Sequence, residues 1–90
     1  MSTPELRVDV PEEKKFGIVE RAIEEFSRDH DVIDVDGARV QFDGGWGLVR
    51  ASNTQPVLVL RYEARDPARL ARIRDTFEAW LRRQGVEPGA

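Results

Sequence analysis

Residues 57–64 read Val-Leu-Val-Leu-Arg-Tyr-Glu-Ala, and this segment is apolar on both faces where it begins. Val57 and Val59 would point to one side of a strand and Leu58 and Leu60 to the other, because side chains alternate along a strand. Two apolar faces are typical of a strand inside a sheet. We therefore predict a central strand at residues 57–64.

Shorter strands are predicted upstream of this segment. Leu6, Val8 and Val10 alternate with polar residues, and hairpin signals at Asp36-Gly37 and residues 43–45 separate further alternating runs. These patterns predict strands at residues 6–10, 31–34 (a weak, short one around Val32 and Ile33), 39–43 and 46–51.

Two segments have the spacing of amphipathic helices. The first covers residues 12–28, and the second follows Asp66-Pro67, an N-cap residue with a proline at the first helical position. Arg82 and Arg83 suit the negative end of the second helix. The predicted apolar stripes are Phe16, Val19, Ile23 and Phe26 in the first helix, and Leu70, Ile73, Phe77 and Trp80 or Leu81 in the second.

This order of elements predicts an α+β fold. Hairpin links make the sheet mainly antiparallel, and each helix has one apolar stripe to bury. We expect a two-layer sandwich in which a mainly antiparallel four-stranded sheet carries two helices on one face and leaves the other face more polar. Residues 1–90 would form one domain, with flexible ends at about residues 1–4 and 85–90.

Composition excludes several classes of site. The chain has 90 residues and no cysteine, which excludes disulfides, thiolate metal sites and a cysteine nucleophile, and its single histidine excludes any site that needs two. A net charge of -3 argues against a nucleic-acid partner. The longest apolar run, Val57–Leu60, is too short to cross a membrane, and residues 1–10 do not resemble a signal peptide. We expect a cytoplasmic protein that supplies one wall of a site rather than a deep cleft.

Residues 50–56, Arg-Ala-Ser-Asn-Thr-Gln-Pro, are the best candidate for chemistry. Arg50 can give two parallel hydrogen bonds to an oxyanion, and Ser52 and Thr54 add hydroxyl donors. Asn53 tolerates a left-handed backbone, which would turn successive N–H groups into an anion nest. The segment contains no carboxylate to repel an anion. The same residue types are also ordinary turn formers, so a plain hairpin loop is the alternative.

A longer stretch around this loop resembles a known family. Residues 45–61, Gly-Trp-Gly-Leu-Val-Arg-Ala-Ser-Asn-Thr-Gln-Pro-Val-Leu-Val-Leu-Arg, are similar to the C-terminal (fourth) domain of the phosphomannomutase/phosphoglucomutase family, the α-D-phosphohexomutases. The resemblance is weaker but traceable from Leu6 to the last helix. It implies a fold like that of the TATA-box-binding protein, which agrees with the predicted order of elements.

The resemblance implies a function for the parent enzyme. Family members are four-domain enzymes that interconvert hexose 1-phosphate and hexose 6-phosphate through a bisphosphorylated sugar. A phosphoserine in the first domain transfers the group, Mg²⁺ is held by another domain, and the fourth domain binds the substrate phosphate. That role falls on Arg50, Ser52, Asn53 and Thr54 of this chain, which would bind mannose or glucose phosphate together with the other three domains.

This sequence lacks the family's other site elements. It has no Thr-Ala-Ser-His-type phosphoserine motif, no Asp-Gly-Asp-Gly-Asp metal loop and no Gly-Glu-rich sugar loop. We therefore expect no cofactor, metal or catalytic residue in this chain, and no enzymatic activity from the chain alone. The alternative function is a stand-alone module that binds a protein or a nucleic acid through the exposed sheet face or the basic second helix.

Three other features favour ordinary structural roles. His30 lies between Asp29 and Asp31, where a solvated helix end is favoured over a metal or acid–base site because no second histidine exists. The carboxylates from Asp31 to Asp36 lack the terminal glutamate of a calcium loop. Trp80 completes the second helical stripe and is expected in the core.

Overall fold

The computed structural model describes residues 1–88 and contains five strands and two helices. A single turn of 3-10 helix, Glu12–Lys14, leads directly into the first α-helix. The elements are β1 (Leu6–Asp9), α1 (Lys15–Phe26), β2 (Val32–Ile33), β3 (Ala38–Phe42), β4 (Gly45–Ala51), β5 (Val57–Ala64) and α2 (Pro67–Arg83).

The strands form one antiparallel sheet in the order β1-β5-β4-β3-β2. β5 lies inside this sheet, between β1 and β4, as its two apolar faces predict. The sheet has five strands, so the prediction of four was wrong. The additional strand is β2, in which Val32 pairs with Val40 and Ile33 with Arg39. The sequence predicted a weak strand around Val32 and Ile33, but whether so short a segment pairs with β3 and joins the sheet depends on the folded chain.

Both helices pack on the same face of the sheet, as predicted. α1 contacts β3 and β4, and α2 contacts β4 and β5. The core between the layers includes Val8, Val40, Val49 and Leu60, which the strand register places on one face. Within residues 1–88, no helix combines the length and the apolar character that crossing a membrane requires.

The buried stripe of α1 differs from the predicted one. Phe16 is 54% exposed, whereas Lys15 is fully buried and Ile18 and Ala22 join Val19 and Phe26 in the interior. Phe16 was expected to lead the stripe, so this prediction was wrong. The rotation of α1 about its axis is set by its packing on β3 and β4, which the periodicity of the helix alone does not determine.

The buried stripe of α2 agrees with the prediction. Ile73, Phe77, Trp80 and Leu81 are buried, and the Trp80 indole donates to Glu25 Oε1 at 3.0 Å. Asp66 caps the helix because its Oδ1 accepts from the Arg69 N–H at 2.8 Å. The same Arg69 backbone donor is the main cause of a lowered pKa for the Asp66 carboxyl.

The two ends of the chain were predicted to be flexible. At the N-terminal end, Ala64 donates its N–H to Met1 O and Thr3 donates to Tyr62 O, both at 2.9 Å. At the other end, Val86 is buried and donates its N–H to Leu81 O. Residues 89–90, the end of the second predicted segment, lie outside the described residues.

Gly47 in β4 has no side chain and so leaves space in the core for the ring of Phe77. A Cβ at residue 47 would lie 2.6 Å from Phe77 Cε1. The Phe77 ring also stacks on Phe26 at a centroid distance of 5.0 Å and meets Tyr62 edge-on at 5.4 Å. Burial raises the pKa of the Tyr62 hydroxyl. Glycine at residue 47 therefore allows α2 to approach the middle of the sheet.

We predict that Gly47→Ala destabilises the protein because the new methyl group collides with Phe77. Overpacking of this kind costs about 1–3 kcal/mol of unfolding free energy, measurable by urea denaturation. The control is Gly17→Ala in α1, where the added Cβ would meet its nearest atom, Arg21 Nη1, at 3.8 Å. That variant should gain about 0.5–1 kcal/mol. A Gly47→Ala variant as stable as the parent would contradict this packing.

Candidate functional site

The loop of residues 52–56 joins β4 to β5, and Ser52 shapes it. The Ser52 N–H donates to Val57 O at 3.1 Å, which closes the base of the loop. Ser52 Oγ accepts from the N–H groups of Thr54 and Gln55 at 3.3 and 3.2 Å. Because Ser52 is 7% exposed, its hydroxyl serves the inside of the loop rather than its surface.

Asn53 and Thr54 form the outer side of the loop. Both residues are exposed, and among residues 1–88 neither the Asn53 side-chain amide nor the Thr54 hydroxyl has a hydrogen-bond partner. Apart from glycines, the described residues contain no positive φ angle. The predicted left-handed backbone at Asn53 was therefore wrong, and the N–H groups of Thr54 and Gln55 turn toward Ser52. The donors free for a ligand are mainly side chains.

Arg50 stands beside the loop near the end of β4. Its side chain is 38% exposed and lies on the sheet face that carries no helix, since Gly47 and Val49 occupy the helix-covered face. The guanidinium Nη2 lies 3.3 Å from Glu5 Oε1. The Glu5 carboxylate is itself 43% exposed, so this is a surface ion pair, which contributes about 0–1 kcal/mol and can be exchanged for another anion.

Two further side chains belong to this region: Arg7 in β1 contacts the loop, and Glu5, just before β1, contacts both arginines. Arg7 donates from Nη1 to Gln55 Oε1 at 2.9 Å, and its Nη2 lies 3.8 Å from Glu5 Oε2. The sequence pattern identified neither Arg7 nor Glu5 as part of this site. Both are far from residues 50–56 along the chain, and only the pairing of Arg7 with Val59 brings them close.

A shared apolar neighbour sets the spacing of the two arginines. Val59 pairs with Arg7 on one side and with Arg50 on the other, and it is only 1% exposed although it lies on the face without helices. Long arginine side chains can cover such a residue with their aliphatic stems while the charged ends stay in water. The two guanidinium groups are thereby held at the same end of the sheet.

The four predicted site residues, Arg50, Ser52, Asn53 and Thr54, line one open depression of about 650 Å³ together with Arg7 and Gln55. A second depression of about 600 Å³ adjoins it and shares Arg50 and Asn53. Its wall includes the exposed apolar side chains of Phe16 and Val35. The loop therefore borders a broad surface rather than an enclosed cleft.

The other candidate residues take structural roles. His30 packs against Phe42 at a centroid distance of 4.5 Å, and its Nδ1 lies 3.1 Å from Gln41 O, so it is less solvated than expected. Within residues 1–88, no three histidine, aspartate or glutamate side chains are grouped so that they could hold a metal ion. The Trp46 ring lies on the face without helices, and its centroid is 4.3 Å from Arg39 Cζ and 5.9 Å from Arg61 Cζ.

Comparison with known proteins identifies the family. Residues 5–79 match the family described as phosphoglucomutase/phosphomannomutase, C-terminal domain. The chain belongs to this family. The resemblance found in residues 45–61 is thus confirmed, and it extends over residues 5–79 of this chain.

Several phosphohexomutases are similar to this chain. A phosphomannomutase/phosphoglucomutase of Pseudomonas putida is 50% identical over an alignment of 93 residues, which covers 98% of this chain and 19% of that protein. A phosphoglucomutase of Neisseria gonorrhoeae is 45% identical over 82 residues, 88% of this chain and 18% of that protein. The chain therefore spans about a fifth of the length of the curated relatives it matches.

A solved structure supports the fold. A phosphoglucomutase/phosphomannomutase family protein of Burkholderia thailandensis superposes with a TM-score of 0.67 and 38% sequence identity. The match covers 92% of this chain and 17% of that one. The same α+β sandwich therefore forms one part of a longer protein of this family.

Removing the Ser52 hydroxyl should loosen the loop. Ser52→Ala takes away the acceptor of two N–H groups, and we expect a loss of about 1 kcal/mol of unfolding free energy. Hydrogen exchange at the Thr54 and Gln55 amides should accelerate, as measured by NMR. Thr54→Ala is the control and should change stability by less than about 0.5 kcal/mol, because that hydroxyl has no partner within the described residues. Unchanged exchange in Ser52→Ala would contradict the assigned hydrogen bonds.

Proposed function

We propose that this chain is the substrate-phosphate-binding domain of a phosphohexomutase that interconverts hexose 1-phosphate and hexose 6-phosphate through a bisphosphorylated sugar. The observation that carries the proposal is the depression in which Arg50, Asn53 and Thr54 converge within a chain of this family. These groups offer a fixed positive charge and uncharged donors, which together suit a phosphate dianion.

In the proposed site, some residues would contact the phosphate and others would hold the loop in its conformation. Arg50 would bind phosphate oxygens through its guanidinium, and the Asn53 amide and Thr54 hydroxyl would donate to the remaining oxygens. Ser52, whose hydroxyl already accepts two hydrogen bonds, would act by holding the loop in place. Arg7 lines the same depression and would add a second positive charge.

In the parent enzyme, this loop would hold the phosphate that is not being transferred. Gripping one end of the sugar fixes where the other end lies, so the reacting oxygen is presented to the phosphoserine in a defined orientation. After the bisphosphorylated sugar reverses, its other phosphate would occupy the same loop. One clamp can therefore serve both half-reactions, because it recognises a group that the two ends of the sugar share.

The chemical step would be carried out elsewhere in the parent enzyme. The phosphoserine and Mg²⁺ would belong to other domains, and residues 1–88 offer no cluster of three metal-ligating side chains. The hexose phosphate and the other three domains are accordingly the proposed partners of this chain, acting in the cytoplasm. Neither a nucleic acid nor a membrane would be a partner of this chain.

We predict that the chain binds inorganic phosphate weakly, with a Kd in roughly the millimolar range for one small anion on an open surface. In an NMR titration, the amides of Asn53 and Thr54 should shift first. Arg50→Ala should weaken binding about tenfold, because a charge-assisted contact is lost. The control is Arg28→Ala, since Arg28 lies beyond the far end of α1 and pairs only with Glu24 among the described residues.

Glu5→Gln provides a test in the opposite direction. Phosphate must replace the Glu5 carboxylate at Arg50, so removing that negative charge should tighten binding by about two- to fivefold. Shifts confined to another surface, or equal affinities for the parent and Arg50→Ala, would overturn the assignment of the site.

The purified 90-residue chain should not turn over glucose 1-phosphate or mannose 1-phosphate. The reason is that the phosphoryl donor would belong to another domain of the parent enzyme. A coupled assay with Mg²⁺ and hexose bisphosphate measures this, and a full-length phosphomannomutase/phosphoglucomutase serves as the positive control. Turnover in proportion to the concentration of the chain would refute this division of roles.

A further inference from the structure

Lys15 is the most deeply buried charged residue of the described chain. Its side chain has no solvent exposure, although it stands at the first position of α1. The ammonium Nζ lies 2.8 Å from Glu12 Oε2 and donates to the backbone oxygen of Gln55 at 3.1 Å. Gln55 belongs to the loop of the proposed phosphate site, 40 residues further along the chain.

The burial of this ammonium group is unfavourable by itself. Removing a lysine charge from water costs several kcal/mol unless the charge finds close partners. An apolar residue at position 15 could extend the buried stripe of Ile18 and Ala22 without that cost. At position 15 the chain therefore has a hydrogen-bond donor that reaches the loop, instead of an apolar side chain that would pack in the core.

Two hydrogen bonds tie the second half of the loop to the segment that runs from the end of β1 to the first residue of α1. Val10 donates its N–H to Pro56 O at 2.9 Å, and Lys15 Nζ donates to Gln55 O. Gln55 O also accepts from the Val57 N–H at 2.8 Å, which tightens the entry into β5. Ser52 holds the first half of the loop through its hydrogen bonds. Asn53 and Thr54 therefore lie between two segments that are each held by hydrogen bonds.

We propose that Lys15 is a positioning residue of the phosphate site, which acts through the carbonyl group of Gln55 to set the placement of Asn53 and Thr54. Glu12 balances the charge of Lys15 at 2.8 Å, so the pair adds little net potential to the loop. The effect of Lys15 on anion binding is therefore geometric. The part of this inference that concerns phosphate rests on the proposed function, whereas the part that concerns loop order does not.

The test compares Lys15→Met with Lys14→Met. The two lysines are adjacent and are the only ones in the sequence, but Lys14 is exposed, so each variant removes the same charge and only one removes the loop contact. In Lys15→Met, hydrogen exchange at the Thr54 and Gln55 amides should accelerate by a factor about ten times larger than the factor at amides of the core strands. Phosphate binding should weaken about three- to tenfold. Lys14→Met should leave loop exchange unchanged and affinity within about twofold.

The parent chain provides a measurement that does not depend on whether Lys15→Met folds. The ¹⁵N–¹H signal of the Lys15 ammonium group should exchange slowly with water, unlike that of Lys14, and should shift when phosphate is added. A Lys15 signal that exchanges as fast as that of Lys14, or a Lys15→Met variant with unchanged loop exchange and affinity, would overturn the proposal. If the parent chain binds no phosphate, the proposed function fails, and the exchange rates alone decide the role of Lys15.

Discussion

The ring of Phe77 rests on Gly47, and the orientation of the β4 side chains depends on this contact. Gly47 must face α2, so Val49 and Ala51 face the helices as well, and Trp46, Leu48 and Arg50 face away from them. A slip of one residue in this register would exchange the two faces and bury the Arg50 guanidinium. The core of the domain thereby determines that a partly exposed arginine, paired with Glu5, stands beside the loop at the end of the sheet where β4 turns into β5.

The candidate site carries positive charge, but the carboxylate of Glu5 already neutralises part of it. Arg50 and Arg7 flank the buried Val59, and both lie close to the carboxylate of Glu5. Exposed ion pairs of this kind contribute little to stability, so an incoming dianion can replace the carboxylate at small expense. The loop adds donors rather than charge, and its shape is maintained from inside by Ser52 and, as we propose, from behind by Lys15. In the proposed function, phosphate contact and loop shape would therefore depend on different residues.

This arrangement suits a domain that contributes one wall of a larger site. The depression is open, and the chain spans 19% of the Pseudomonas putida relative it matches. An isolated loop on an open surface gains only part of the binding energy available in an enclosed cleft, where water is excluded from charged contacts. The exposed apolar side chains of Phe16 and Val35 beside the loop are part of that same open surface.

The sequence determined the elements and the family, because both are written in local patterns. The apolar run that opens residues 57–64, the Asp66-Pro67 cap and the continuous motif at 45–61 each involve neighbours along the chain, and all three were confirmed. Tertiary structure decided the rest: the pairing of the two-residue strand β2, the burial of Lys15 in place of Phe16, and the approach of Arg7 and Glu5 to Arg50. These features depend on strand register and on the rotation of α1 about its axis. Such quantities arise only when segments distant in sequence pack against one another, so no local pattern could reveal them.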